Sequence, residues 1–167
     1  DDLKRAKAVI SCENDMGTVK GLQEITGNTN IYFGIPDVIT SNTASPELLK
    51  KDTLMTVTEQ GVLILEKGNY TLPKEIIQVS NQNLYTHWIC KLFIHNAPHA
   101  IVAYLGWLKG YTYVHEAMAD SHINEVVVGS ISEITDGVIA ADFTEKDFAE
   151  NYKRKELKRF NNALLYD

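Results

Sequence analysis

The chain has 167 residues, 44% hydrophobic and 23% charged, an ordinary globular composition that excludes disorder as its resting state. Its 16 basic and 22 acidic residues give a net charge of −6, and the basic ones cluster only at Lys153-Arg154-Lys155 and Lys158-Arg159, so nucleic acid is not an expected partner. Cys12 and Cys90 stand far apart in apolar surroundings without metal-ligand spacing, and they read as reduced, buried thiols of a cytoplasmic protein.

The first residues, Asp-Asp-Leu-Lys-Arg-Ala-Lys, are charged and resemble no signal peptide. The segment Leu92–Leu108 lacks Asp, Glu and Arg, but Asn96, Pro98 and two histidines make it too polar for a bilayer span, so no membrane partner is expected either. A sequon at Asn69-Tyr70-Thr71 carries no weight in a chain read as cytoplasmic.

Residues 6–12 form a short β-branched run ending in Glu13-Asn14-Asp15-Met16-Gly17, and residues 18–26 then show helical spacing. A second apolar strand, residues 31–35, is expected to stop at Pro36-Asp37. Strand, polar turn and helix in that order belong to an α/β unit, and two strands cannot make a stable parallel sheet alone. The chain is therefore expected to begin inside a larger α/β domain. A polar connector over 40–52 holds a short helix capped by Ser45, with Pro46 at its first position. The runs 54–59 and 62–66, separated by Gln60-Gly61, suggest a hairpin. From about residue 72 the pattern turns helical, with helices expected over 81–95, 97–109, 112–119, 121–139, 144–153 and 155–165.

The chemistry concentrates in Lys91-Leu-Phe-Ile-His-Asn96-Ala-Pro-His99-Ala-Ile-Val-Ala-Tyr-Leu-Gly106. On an α-helix with Lys91 at zero, His99 falls at roughly 80° and Asn96 at roughly 140°, one side of the cylinder. A lysine on such an apolar helix must be paired or neutralised, and a neutral lysine is a proton acceptor. The plainer explanation is a snorkelling Lys91, a helix-capping Asn96 and a core histidine at 99. His95 lies in the same arc, so angle alone does not choose between the two histidines. His95 and His99 also form an H-x-x-x-H pair, but Asn96 stands where a zinc protease needs glutamate and Pro98 interrupts the helix. His115-Glu116, Asp120 and His122 could join as further ligands, although a solvated helix face explains them as well. Asn14 follows a strand's carboxyl end, where open α/β sheets bind ligands.

The run Lys91-Leu-Phe-x-x-Asn96-x-x-His99-Ala-Ile-x-Ala-Tyr-Leu-Gly106-x-Leu-x-Gly110 resembles the signature of the polyol-specific long-chain dehydrogenases, the family of the mannitol and mannitol-1-phosphate dehydrogenases. Ile10-Ser-Cys-Glu-Asn14, Thr56-Val-Thr-Glu59, His115-Glu-Ala-Met-x-Asp120 and Arg159-Phe-x-Asn162 add to the likeness in the same order. The resemblance implies a reversible oxidation of a small-molecule polyol or polyol phosphate to the keto sugar, with hydride passing to NAD or NADP and no metal. It places the catalytic lysine at Lys91, the asparagine at Asn96, the histidine at His99, and a second asparagine, on the substrate and cofactor side, at Asn14.

The chain departs from the family in three ways. No G-x-G-x-x-G opens a strand–helix unit, so the N-terminal nucleotide-binding domain is expected to be missing and the chain alone to be inactive. The sequence stops at Leu165-Tyr-Asp167, before the family's arginine-rich segment, and reads Thr40-Ser41-Asn42 where the family commonly has Val-Asp-Arg. The expected fold is α+β and mostly helical: the last strands of a Rossmann-like α/β domain over 1–70, then a multi-helix C-terminal dehydrogenase domain over 71–167. Two competing readings are a non-catalytic helical interaction module and a metal-dependent hydrolase built on His95 and His99.

Overall fold

A computed structural model describes residues 2–41, 43, 46–49, 56–57, 59–68, 70 and 76–167. Asn42, Ser45, Asn69 and Thr71, named above, lie outside the described residues, as do residues 54, 55 and 58 of the run 54–59. The fold is α+β and mostly helical, and the chain divides into two compact units, residues 1–38 with 61–87 and residues 39–60 with 88–167.

The first unit is built on a four-stranded mixed sheet. Helix α1 (Asp2–Arg5) precedes strand β1 (Val9–Ser11), helix α2 (Gly17–Thr26) and strand β2 (Ile31–Asp37). In β2, Ile31, Phe33 and Ile35 alternate onto one face and are all buried, as the period of a half-buried strand requires. β1 runs parallel to β2 with Ile10 opposite Tyr32. Helix α2 ends at Gly27, whose φ of 70° suits the left-handed cap and whose N–H donates to the Gln23 carbonyl at 2.8 Å. Asn28, buried, donates to the carbonyls of Leu3 and Ala6 at 2.7 and 3.0 Å and accepts from the Asn30 N–H at 2.9 Å. One side chain thereby ties α1, its following turn and the start of β2 together.

The expected hairpin does not form. Helix α3 spans Pro46–Leu49, and the two-residue strands β3 (Thr40–Ser41) and β4 (Thr56–Val57) pair with each other, Thr40 opposite Val57. Strand β5 (Val62–Glu66) instead lies antiparallel to β2, with Ile35 opposite Ile64, and strand β6 (Ile77–Val79) adds in parallel to β5. The sheet order is β1-β2-β5-β6. Ile64 and Leu65 are buried on joining β2, at roughly 1.5–3 kcal/mol per fully buried side chain, a gain that an isolated two-strand ribbon could not match. β2 continues through Pro36, opposite Leu63, to Asp37 rather than stopping before it.

The second unit is mostly helical. Helix α4 (Asn81–Ile89), most of it in the first unit, leads directly into a π-helical segment, Cys90–Asn96, and then α5 (Ala97–Lys109), α6 (Val114–Met118), α7 (Ser121–Ala140) and α8 (Lys146–Phe160). α7 buries Ile123, Val127, Ile131, Thr135 and Val138, a stripe at spacings of three and four. These pack with Ile94, Val102, Ala149 and Phe160 in one core. At Gly106 an added Cβ would sit 2.8 Å from the Ala117 Cβ, so the missing side chain lets α5 and α6 cross closely. The break expected between residues 153 and 155 is absent: strong helix formers run through Lys153-Arg154-Lys155-Glu156-Leu157, and α8 passes unbroken to its end at Asn161. Cys90 is fully buried, and burial pushes its thiol up to about 12. Cys12, in contrast, is exposed, because it follows β1 in the polar turn rather than lying within the strand. Among the described residues no helix is long and apolar enough to cross a membrane.

Candidate functional site

Lys91, His95 and Asn96 all lie on the π-helical segment, and His99 opens α5 one turn later. In a π turn the backbone hydrogen bond closes between residues five apart. The Lys91–Asn96 spacing is five, so the angle that an α-helix would put between them largely closes. The location of this wider turn has a local cause. Pro98 lacks an N–H and its ring crowds the carbonyl four residues back, and a widened turn just ahead of it relieves both. Asn96 and Ala97 keep right-handed helical backbone, and Asn96 makes no side-chain cap. The helix therefore continues through the motif, and the capping explanation of Asn96 does not hold.

The two histidines separate clearly. His95 is buried, with Nδ1 2.6 Å from Glu156 Oε2. Glu156 has no solvent exposure and accepts from Arg159 Nη1 at 3.1 Å on each oxygen, and Arg159 also donates to Glu59. Glu59 in turn accepts from the Ile39 N–H at 2.9 Å. His99 is half-buried, with Nε2 3.0 Å from Asp167 Oδ2, although neither atom meets hydrogen-bond geometry. Burial alone would raise the Asp167 carboxyl, but contact with His99 and the nearby charges of His95 and Arg159 outweigh it and hold the carboxyl below its usual value. The His95 and His99 rings are nearly parallel, 5.3 Å apart, and Phe160 packs on both at 5.9 and 5.7 Å.

His99 and Asp167 form one end of a cavity of about 220 Å³ whose walls come from α5, the 111–113 turn and α6, including Val102, Trp107 and Tyr111. His95 does not line it. Of the four residues singled out by sequence, the structure places three on one helical rod. Lys91 and Asn96 are partly buried there, and Asn14 belongs to the first unit, exposed just beyond the carboxyl end of β1.

The other candidate ligands serve helix ends. Glu116 accepts from the N–H groups of Thr112 and Tyr113 at 2.9 and 3.0 Å, which hold its carboxyl below the ordinary range. Asp120 caps α7 through the His122 and Ile123 amides and meets Lys109 at 2.7 Å. Among the described residues no three His, Cys, Asp or Glu side chains converge as a metal site. Sequence reasoning missed Glu156, which sits in the basic run 153–159 and looks like part of a solvated face. The signal was there in its spacing of three from Arg159 and seven from Ala149, which puts all three on the buried side of α8.

A mostly helical unit built around this rod defines the class to which the chain belongs. The mannitol dehydrogenase C-terminal domain matches residues 83–167, and the chain belongs to that family. It is 44% identical over 77 residues to the mannitol-1-phosphate 5-dehydrogenase of Clostridium acetobutylicum, covering 46% of this chain and 20% of that protein. With the enzymes of the same name from Halalkalibacterium halodurans and Buchnera aphidicola it is 31% and 27% identical, each match covering 95% of this chain and 46% and 44% of the relative. The chain thus spans less than half the length of these curated relatives.

Proposed function

We propose that the chain is the substrate-binding, base-carrying part of an oxidoreductase that interconverts a polyol or polyol phosphate and its keto sugar, working in the cytoplasm. The observation that carries this reading is the π turn: Lys91 and Asn96 lie five residues apart on it, one turn before His99, within the stretch that matches the mannitol dehydrogenase C-terminal domain.

Oxidation of a carbinol carbon requires its hydroxyl proton to leave with the hydride, so a base must lie within hydrogen-bond reach of that oxygen. Lys91 is that base. A lysine in an apolar setting can fall from about 10.4 towards roughly 7–8, where it is neutral often enough to act. Asn96 and His99 hydrogen-bond the same oxygen as it gains negative character, and removing one such donor costs on the order of 2.7–4 kcal/mol of barrier.

NAD or NADP, when bound, takes the hydride. The β1–α2 turn does not fit the pyrophosphate of such a cofactor: Asp15 Oδ1 already accepts from the Gly17 N–H at 2.8 Å at the start of α2, and Glu13 adds a second carboxylate. The phosphates therefore belong to a nucleotide-binding domain outside these residues, and Asn14 alone is assigned to the cofactor side. The 167-residue chain by itself is expected to be inactive.

The test is Lys91→Ala in the longest natural form of the protein, with reduced nicotinamide followed on mannitol and on mannitol 1-phosphate. Turnover should fall by about 10²–10⁴-fold with nucleotide binding kept. Retained turnover with an unchanged pH profile would remove Lys91 from the role.

A further inference from the structure

Glu156 takes no part in the chemistry above, yet it lies in the helical core with no exposed surface. A carboxylate is tolerated there only when its oxygens are fully partnered. Both oxygens accept from Arg159 Nη1 at 3.1 Å, Oε2 stands 2.6 Å from His95 Nδ1, and Glu59 secures the far side of the Arg159 guanidinium. A carboxylate held this way fixes the imidazole it faces. It favours the tautomer with the proton on Nδ1 and opposes a ring flip, the arrangement by which acidic partners orient histidines at working sites.

The consequence passes to His99. The His95 ring lies 17° from parallel with the His99 ring at 5.3 Å, and Phe160 packs 19° from parallel with His99 at 5.7 Å. His99, unlike His95, reaches the cavity wall. We propose that Glu156 is a positioning residue for His99: it anchors His95, and the anchored ring sets the plane in which His99 meets its substrate oxygen. This rests on the reading that His99 contacts substrate. It also gives His95 of the H-x-x-x-H pair a role other than metal binding, as the plate beneath the working histidine. A reacting group displaced by about 1 Å can lose on the order of 10²-fold in rate, so a loosened plate should show in turnover rather than in binding.

The test uses Glu156→Gln and His95→Phe, separately and together. In the 167-residue chain, nitrogen-15 spectra of the histidine rings should show His95 losing its single tautomer in Glu156→Gln, and ring-to-ring Overhauser contacts between His95 and His99 should weaken. In the longest natural form, Glu156→Gln should lower kcat about tenfold with KM within about twofold. Adding it to His95→Phe, which keeps a ring but has no Nδ1, should cause no further loss. An equal loss in both backgrounds would mean that Glu156 acts through the fold, and an unchanged tautomer and kcat would likewise overturn the proposal. If the glutamine variant does not fold, His95→Phe decides alone: a folded protein with unaltered kcat refutes the positioning role. Should Lys91→Ala retain turnover while the histidine spectra respond as expected, the base assignment fails and the Glu156–His95–His99 linkage stands.

Discussion

Two buried polar groups, one in each unit, are satisfied in different ways. In the sheet unit, Asn28 serves the main chain, reaching the carbonyls of Leu3 and Ala6 and the amide of Asn30. In the helical unit, Glu156 and Arg159 serve each other and an imidazole. A buried amide satisfied by backbone costs little, whereas buried charges are expensive and need partners on every oxygen.

The comparison can be broken or sharpened by substitution. The largest effect is expected for Phe160→Ala: the ring is 1% exposed and packs on both histidines, so its loss should cost about 3–5 kcal/mol in chemical denaturation of the chain. A small effect would mean that the charge network, not the apolar core, supports the helical unit. Gly34→Ala tests the sheet unit, since a Cβ there would meet Leu65 Cδ2 at 2.6 Å and Ile10 Cγ2 at 2.7 Å. Overpacking of that kind should cost about 1–3 kcal/mol, read from the same denaturation experiment. A neutral result would show β1 and β5 to be looser around β2 than the paired register implies.

The smallest effect concerns Asp120. The Lys109 ammonium, followed by the Ile123 amide, holds its carboxyl down to about 2 from an ordinary 3.8. A depressed acid contributes stability above the unfolded value and loses it as pH falls through the folded one. The thermal midpoint of the chain should therefore decline between about pH 3.8 and 2 more steeply than that of Asp120→Ala, and added salt should narrow the difference because the site is exposed. Superimposable pH curves would show that the cap and the ion pair contribute nothing.

Much of the helical unit was legible in residue order. The α7 stripe of Ile123, Val127 and Ile131 and the alternation of Ile31, Phe33 and Ile35 are local periodicities, and local periodicity survives into structure whenever one face is buried. The partner of β5 was not legible. Gln60-Gly61 looks like a hairpin turn at short range, but which strand covers Ile64 and Leu65 is settled by the larger apolar face of β2, a contact far away in sequence. The exposure of Cys12 was misjudged for a related reason: it ends a run that holds Ala8, Val9 and Ile10, whereas in space it lies past the strand's end.

By itself the sequence put Lys91, Asn96 and His99 on one helical segment, because side-chain type and spacing are properties of the chain alone. Spacing left His95 and His99 equivalent, and the family resemblance alone favoured His99. The tertiary structure supplies the physical difference, which lies in what surrounds each ring. His95 faces the Glu156 carboxylate in a closed core, and His99 faces a cavity. Spacing did not reveal the π turn either, although its cause, Pro98, is local: it depends on a shift of one residue in the hydrogen-bond ladder, and side-chain periodicity does not record that shift.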